Sequence, residues 1–203
     1  MADKYFLQWQ NMNKYEDELS KSGATFIAGV DEAGRGPLAG PVAAAAVILP
    51  RNAYIPSLND SKKLSEKRRL ILEDEIKQQA IAWSCVMINP DIIDQINILE
   101  ATKLAMIQAI HELTHPPQHV LTDAVILDID IPQTNIIKGD ALSVSIAAAS
   151  IIAKNTRDRL MYEYDKLYPQ YHFAKHKGYP TALHKEALRQ YGPCPIHRKS
   201  FKY

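Results

Sequence analysis

The sequence predicts an α/β protein whose sheet mixes antiparallel and parallel strands. Two apolar, β-like runs at 25–30 and 42–49 are joined by a glycine-rich segment, which favours an antiparallel pair. Apolar strands then alternate with helical segments along the rest of the chain, which is typical of an α/β protein with a mixed sheet. The 203 residues, 46% hydrophobic and 23% charged, suit one globular domain with a sizeable core.

The other elements follow from apolar periodicity and from residues that end helices. Residues 1–22 are amphipathic, with Tyr5, Trp9 and Met12 on one face, and Gly23 ends that predicted helix. Further helices are predicted at 61–80, 89–113, 143–160 and 181–190, and further strands at 81–88 and 119–122. The helix at 143–160 is so rich in Ala and Ser that another element must pack closely against it.

The charge of the whole chain, +1, argues neither for nor against a nucleic-acid partner. Four local groups of basic residues are more informative, and together they predict a basic surface patch. The groups are Lys62, Lys63, Lys67, Arg68 and Arg69; Lys154, Arg157 and Arg159; Lys175, His176 and Lys177; and Arg198, Lys199 and Lys202.

The sequence predicts a cytoplasmic protein that does not contact a membrane. The N-terminal segment lacks the basic and then apolar design of a signal peptide, and no apolar run approaches membrane-spanning length. Two cysteines, Cys85 and Cys194, cannot form a disulfide framework, which fits a reducing compartment.

Carboxylates recur where apolar elements begin or end. Asp31 and Glu32 follow the first strand, Asp123 follows the strand at 119–122, and Asp140 precedes the Ala-rich helix. Converging carboxylates repel one another unless a divalent cation such as Mg²⁺ binds between them. Neighbouring strand residues point to opposite faces, so Glu32 is expected where the strand breaks into the glycine turn. For Asp140, stabilisation of a helix N-terminus remains an alternative.

Competing motifs are weaker. The stretch "GRGPLAG" is not followed by the Gly-Lys-Ser/Thr of a Walker phosphate loop. A zinc site at His172, His176, Cys194 and His197 lacks paired ligand spacing, so we expect no stoichiometric zinc. The serines of the 143–160 helix have no adjacent base, which disfavours a serine nucleophile.

Six stretches together resemble the bacterial ribonuclease HII family, the type 2 ribonucleases H. They extend from about residue 25 to residue 201 and leave only the N-terminal helix unmatched. The stretches are "GVDEAGRGPLAGPV", "LNDSKKLSEKRR", "INILEATKLAMIQAI", "IIKGDALSVSIAAASIIAKNTRDRLM", "FAKHKGYPTALH" and "GPCPIHRKSF".

The resemblance implies a ribonuclease H-like α/β fold with a mixed five-stranded sheet and a smaller C-terminal helical part. The chain would then comprise an N-terminal helix (1–22), a catalytic core (25–160) and a C-terminal helical region (161–203). The implied activity is endonucleolytic cleavage of the RNA strand of RNA–DNA hybrids, and incision 5′ of single ribonucleotides in duplex DNA. The implied chemistry is two-metal-ion hydrolysis with Mn²⁺ or Mg²⁺, which leaves 3′-hydroxyl and 5′-phosphate ends.

The resemblance also implies specific site residues in this sequence. The implied metal ligands are Asp31, Glu32, Asp123 and Asp140. The implied nucleic-acid contacts are Gly34, Arg35 and Gly36 as a ribonucleotide-sensing loop, Tyr179 on the sugar, and Lys62 and Lys154 as phosphate or active-site support.

One departure from the family's pattern lies beside the third carboxylate. The family usually has glycine after this residue, whereas this chain has Ala124. Asp128 and Asp130 follow closely and compete for the same assignment. We assign the role to Asp123, because it follows the apolar strand that comes after the long helix.

Two other functional classes remain alternatives at this point. A non-catalytic nucleic-acid-binding protein would bind with strong salt dependence but without metal-dependent cleavage. A Mg²⁺-dependent phosphohydrolase of small nucleotides would need a closed pocket in place of dispersed basic groups. We expect the partners to be RNA–DNA hybrids and ribonucleotide-containing duplex DNA, bound by a monomer without an obligate protein partner. No clamp-binding peptide is recognisable at the C-terminal residues.

Overall fold

The computed structural model describes residues 4–59 and 61–202, except for the side chains of Lys4 and Lys63. The start of the predicted N-terminal helix and the predicted contribution of Lys63 to a basic patch therefore lie outside the described residues. Within the described chain, no helix combines the length and apolar character that a membrane span needs.

One five-stranded mixed sheet forms the centre of the molecule, as predicted. Its strands are β1 (Ile27–Ala33), β2 (Val42–Ile48), β3 (Ala82–Ile88), β4 (His119–Asp123) and β5 (Gln133–Ile136). Their order is β3-β2-β1-β4-β5, with antiparallel pairs at β2–β3 and β1–β2 and parallel pairs at β1–β4 and β4–β5. Strand β5 had no signal of its own in the sequence, since only the family resemblance implied a fifth strand.

Eight α-helices surround the sheet in the described residues. They are α1 (Lys4–Met12), α2 (Lys14–Lys21), α3 (Glu66–Gln79), α4 (Pro90–His111), α5 (Gly139–Leu142), α6 (Val144–Leu167), α7 (Phe173–His176) and α8 (Ala182–Tyr191). The predicted single N-terminal helix is in fact two, separated at Asn13, whose side-chain amide donates to the carbonyl of Trp9 at 2.8 Å. Helix α4 is also interrupted, because Asn97 has φ +66°.

Strand β2 shows how the sheet is covered on both faces. Its alternate residues Ala44, Ala46 and Ile48 pack in a cluster with α4, whereas Ala45 and Val47 pack in a cluster with α3 and α6. This two-sided burial explains why β2 is a continuous run of small and β-branched residues rather than an alternating one.

Helix α6 lies very close to β1, as its Ala- and Ser-rich composition predicted. A Cβ added to Gly29 would stand 2.1 Å from the main-chain carbon of Ser145, so only glycine allows this approach. The helix continues to Leu167, past its predicted end at 160. It therefore crosses the boundary between the predicted core and the predicted C-terminal region, a division that remains a prediction.

The C-terminal helices pack against the segment between β1 and β2. Phe173 and Leu188 share a buried apolar cluster with Leu38, Ala39 and Met161. The carbonyl of Gly178 accepts from the N–H of Leu38 at 2.8 Å. These contacts bring the C-terminal part of the chain beside the residues that follow Asp31 and Glu32.

Candidate active site

Three carboxylates meet at the carboxyl ends of β1 and β4. The parallel register pairs Val30 with Thr122, which places Asp31 beside Asp123, and α5 supplies Asp140. One ligand oxygen from each of these aspartates lies within 4.8 Å of the others. Among the described residues, this carboxylate triad is the sole grouping of at least three potential metal ligands.

Hydrogen bonds from neighbouring elements hold the triad. Asp123 Oδ1 accepts from the N–H of Gly139 at 2.8 Å, which links β4 to the turn that carries Asp140. Asp31 accepts from Ser150 on α6, and the hydroxyl of Ser150 lies 2.7 Å from that of Ser61. The sequence analysis did not predict a role for either serine at this site. The feature that could have indicated it is a polar side chain next to or within an apolar run.

Glu32 lies outside the triad, and its predicted position was wrong. Strand β1 does not break at Glu32, since pairing with β2 continues through Ala33 and Ala43. Side chains alternate along a regular strand, so Asp31 faces α6 and the Glu32 side chain starts on the other face. The Glu32 carboxylate nevertheless lies close enough to the site to interact with the charges of Asp31, Asp123 and Lys62. Glu32 Oε1 lies 3.5 Å from Arg35 Nη1, while its Oε2 is buried without a hydrogen-bond partner.

The negative charges of these carboxylates repel one another. Burial, followed by the charges of Glu32 and Asp123, raises the pKa of Asp31 well above its ordinary value. Burial also raises the pKa of Glu32, although the guanidinium of Arg35 opposes that shift. Arg35 and Lys62 partly offset the charges of Glu32 and Asp140, whereas no cation is among the groups that shift the pKa of Asp31.

A divalent cation fits this arrangement. Converging carboxylate oxygens form the ligand set that hard ions such as Mg²⁺ and Mn²⁺ prefer. The buried and unpartnered Oε2 of Glu32 is a further acceptor beside the triad. Such an ion would also relieve the repulsion between Asp31 and Asp123.

The two predicted lysines occupy different surroundings. Lys62 Nζ lies 3.5 Å from Asp140 Oδ2, and the lysine side chain is 76% exposed. Lys154 lies on α6, one turn after Ser150, and its Nζ donates a hydrogen bond to Asp158 at 2.6 Å. The structure thus brings Lys62 to the triad and places Lys154 in a neighbouring ion-pair network.

The glycine loop, residues 34–41, leaves β1 directly after these carboxylates. Gly34 has φ +99°, a conformation that favours glycine. A Cβ on Gly36 would lie 3.5 Å from the ring of Tyr179, so the structure places these two predicted contacts side by side. The side chains of Arg35 and Tyr179 are both partly exposed.

The predicted basic surface patch is wrong for three of its arginines. Arg69, Arg157 and Arg198 are buried, at 8%, 1% and 0% exposure. Arg157 and Arg198 lie beneath the glycine loop and bond its carbonyl oxygens. A count of basic residues cannot reveal this, because the carbonyl groups converge only in the fold.

The residues around the third carboxylate support its assignment. Asp128 lines a shallow groove with Ile96 and Leu104 of α4, away from the triad, and Asp130 is exposed. Ala124 has φ +53° and is therefore strained. This conformation explains the glycine that the family usually has at the position.

The histidines of the zinc alternative bond within the protein. His176 Nε2 lies 2.8 Å from the carbonyl of Tyr171, and His197 Nδ1 accepts from the N–H of Cys194 at 2.9 Å. His172 is exposed. A histidine that the zinc hypothesis did not include, His184, lies between the other two, with its Nε2 3.0 Å from His197 Nε2.

Sequence relatives match nearly the whole chain. The model of the family described as Ribonuclease HII matches residues 28–203. A ribonuclease HII from Bacillus cytotoxicus is 56% identical over 194 residues, which cover 96% of this chain and 75% of that protein. Another from Bacillus cereus strain B4264 is 57% identical over 199 residues, covering 98% and 76%.

Solved structures share the fold. The ribonuclease H2 of Pyrococcus horikoshii OT3 superposes with a TM-score of 0.75 at 27% identity, covering 87% of this chain and 94% of that one. Ribonuclease HII of Archaeoglobus fulgidus, solved as a complex with PCNA, gives 0.71 at 24% identity, covering 88% and 96%. The chain therefore belongs to the ribonuclease HII family and is a divalent-cation-dependent endoribonuclease that cleaves the RNA of RNA–DNA hybrids.

Proposed function

We propose that this enzyme also incises duplex DNA on the 5′ side of a single embedded ribonucleotide. The observation that carries this proposal is the bare main chain of Gly36 beside the Tyr179 ring, directly after the strand that bears Asp31. The 2′-hydroxyl is what separates a ribonucleotide from a deoxyribonucleotide at one sugar. A main chain without Cβ can approach that hydroxyl, while the ring of Tyr179 lies against the neighbouring sugar.

We propose that Asp31, Glu32, Asp123 and Asp140 hold two divalent cations, either Mg²⁺ or Mn²⁺. The convergence of the three aspartate oxygens and the unpartnered Oε2 of Glu32 support this ligand set. When bound, such a pair of ions lowers the pKa of the attacking water and stabilises the leaving oxygen.

The protein's own side chains would orient the substrate. Lys62 is exposed beside Asp140, which suits contact with a phosphate next to the scissile bond. Arg35 is 44% exposed and tethered to Glu32, so it can reach a second phosphate. The bond from Lys154 to Asp158 supports a role in positioning α6 more than a direct phosphate contact.

The expected products are a 3′-hydroxyl and a 5′-phosphate. Attack of water on the phosphorus 5′ of the ribonucleotide breaks the bond to the preceding 3′ oxygen, which takes up a proton. The phosphate then remains on the ribonucleotide. The 2′-hydroxyl serves as a recognition group and is not consumed.

Cleavage of an end-labelled duplex with one ribonucleotide, compared with its all-deoxy twin, tests this proposal. We expect one nick 5′ of the ribonucleotide with Mg²⁺ or Mn²⁺, none with EDTA, and none in the all-deoxy duplex. A site built to bond a hydroxyl rejects an analogue without it by a factor on the order of 10⁴. Failure to cut the first duplex, with good activity on a long hybrid, would contradict the proposal.

The two alternative functions are not retained. Relatives that match 96% and 98% of the chain are ribonucleases, which overturns both the non-catalytic and the small-nucleotide phosphohydrolase interpretations. We further propose that the enzyme acts as a cytoplasmic monomer in DNA replication and repair. Free thiols at Cys85 and Cys194 suit a reducing compartment, and sedimentation of the purified chain tests its monomeric state.

A further inference from the structure

Two arginines carry buried positive charge beneath the glycine loop. The side chains of Arg157 and Arg198 are almost completely inaccessible to solvent. Each guanidinium group donates three hydrogen bonds, and all six go to main-chain carbonyl oxygens. Neither arginine forms an ion pair with a carboxylate of the described chain.

Arg157 joins the glycine loop to the segment that carries Tyr179. It donates to the carbonyl of Pro41 at 2.8 Å, to that of Ala39 at 3.0 Å and to that of Lys177 at 2.9 Å. Its side chain also occupies the space beside Gly34, where an added Cβ would lie 2.2 Å from Arg157 Nε. One planar group thus fixes the end of the loop relative to the residues just before Tyr179.

Arg198 ties the start of the loop to its end. It donates to the carbonyl of Gly34 at 2.6 Å and to those of Arg35 and Gly40 at 2.9 Å. Because a trans peptide directs its C=O and N–H oppositely, the N–H groups of Arg35 and Gly36 point away from Arg198. Among the described residues, neither of these N–H groups donates a hydrogen bond.

Packing alone does not account for this pair of charges. Burial of a charge without a counter-charge is unfavourable, and an apolar side chain of similar volume often stabilises a protein more. Burial lowers the pKa of Arg157 to about 10, and burial together with the charge of Arg157 lowers that of Arg198 to about 9. What arginine alone offers is a planar fork that fixes three carbonyl groups at once.

We propose that Arg157 and Arg198 are positioning residues that determine selectivity for a ribose. They hold the N–H groups of Arg35 and Gly36 towards the substrate, at a fixed distance from the ring of Tyr179. This inference rests on the proposed function, because it presumes that the loop and Tyr179 recognise a single ribonucleotide.

The test uses Arg157→Lys and Arg198→Lys, which retain the charge but lose the planar fork. Arg189→Lys, at an exposed position of α8, is the matched control. For each purified full-length variant, kcat/KM is measured on a duplex with one ribonucleotide and on a long RNA–DNA hybrid. Hydrogen–deuterium exchange of residues 34–41 provides a second readout that needs no catalysis.

We expect each buried-site variant to lose about 100-fold on the one-ribonucleotide duplex, since small displacements of positioning groups have effects of this size. The loss on the hybrid should be at least ten times smaller, because a hybrid offers a ribose at every register. Amide exchange of residues 34–41 should accelerate, whereas Arg189→Lys should match the wild type. If one variant does not fold, the other carries the test.

Equal losses on both substrates, or an unchanged substrate ratio with unchanged exchange, would overturn the assignment of the arginines. A wild-type enzyme that cannot cut the one-ribonucleotide duplex contradicts the proposed function instead. In that case exchange of residues 34–41 alone decides whether the two arginines position the loop, with acceleration supporting it and wild-type exchange overturning it.

Discussion

Two groups of carboxylates lie on the side of the sheet covered by α6, and they are built in opposite ways. In the triad, Asp31, Asp123 and Asp140 converge on one another, and Lys62 is the cation that lies near them. In the second group, the structural network, each carboxylate meets cations or amides of the protein. Its members are Arg69, Glu73, Lys77, Lys154, Asn155, Asp158 and Arg159.

The pKa values reflect this difference. Hydrogen bonds from Arg159, Lys77 and Asn155 outweigh burial and lower the pKa of Glu73 to about 2. Burial and like charges instead raise the pKa of Asp31. A carboxylate that is paired with cations, such as Glu73, stabilises the fold, whereas burial and like charges destabilise the ionised form of Asp31 until a cation binds.

The largest expected effect comes from removing one charge of the triad. Asp123→Asn should lower turnover on an RNA–DNA hybrid by at least about 100-fold, although the asparagine oxygen can still accept from Gly139. Asp128→Asn, a matched change nearby, should retain nearly full turnover because Asp128 lies in the α4 groove. Equal losses from both changes would mean that the third ligand is assigned wrongly.

A charge of the structural network should matter for stability instead. Glu73→Gln should lower the free energy of unfolding by about 2 kcal/mol, because it breaks the bonds to Arg159 and Lys77 inside the fold. The folded pKa of about 2 lies below the ordinary glutamate pKa of 4.5, so this stabilisation is present above pH 4.5 and is lost towards pH 2.

Urea denaturation of Glu73→Gln at pH 7 and at pH 3 checks this prediction. The difference from the wild type should shrink at the lower pH. A pH-independent difference would show that lost packing, rather than charge, explains the effect.

Buried histidines should make the stability of the fold depend on pH between pH 6.5 and pH 4. Burial is the main cause that lowers the pKa of His176 and His197 to about 4, so the folded state keeps both neutral. The unfolded chain takes up protons below about pH 6.5, and stability should therefore fall between pH 6.5 and pH 4. His197→Asn retains an acceptor for the N–H of Cys194 and should make this fall shallower.

Melting temperatures of His197→Asn and of the wild type, measured at several pH values between pH 7 and pH 4, give the slope of stability against pH for each protein. His111→Asn, on the exposed end of α4, is the control and should keep the wild-type slope. An unaltered slope in His197→Asn would assign the acid sensitivity to other groups.

The smallest effect is expected beside the triad. Ala124 adopts a left-handed conformation, which is unfavourable for any residue with a Cβ. Ala124→Gly should therefore raise the free energy of unfolding by about 0.5 kcal/mol, after the greater flexibility of glycine in the unfolded chain is subtracted. Denaturation with urea measures this gain, and a loss of stability would show that the alanine is not strained.

Sequence reasoning located the acids because of where they lie relative to apolar runs. Asp31 and Asp123 directly follow the last pair of the parallel β1–β4 ladder, Val30 and Thr122, so the two acids lie side by side. The continuation of β1 through Glu32 was not predicted, because no sequence pattern around this residue shows where the strand ends and the turn begins. Strand β5 also lacked a signal, because its short sequence, "QTNI", is largely polar.

The buried arginines mark the limit of inference from composition. Arg157 looks like one member of a basic group with Lys154 and Arg159, yet it is the buried one of the three. Its partners are carbonyl oxygens, which every residue possesses, so no pattern of side chains identifies them. Only the convergence of residues 34–41 with Lys177 creates its binding site.

Thermal unfolding of Asp31→Asn without divalent cations tests the opposition between the two carboxylate groups most directly. The asparagine can still accept from the N–H of Glu32, but it no longer repels Asp123. We expect this inactive variant to unfold with a free energy about 1 kcal/mol higher than the wild type in EDTA. Added Mn²⁺ should stabilise the wild type and not the variant. A variant that is less stable than the wild type in EDTA, as expected for Glu73→Gln, would contradict the claim that burial and like charges destabilise the ionised form of Asp31.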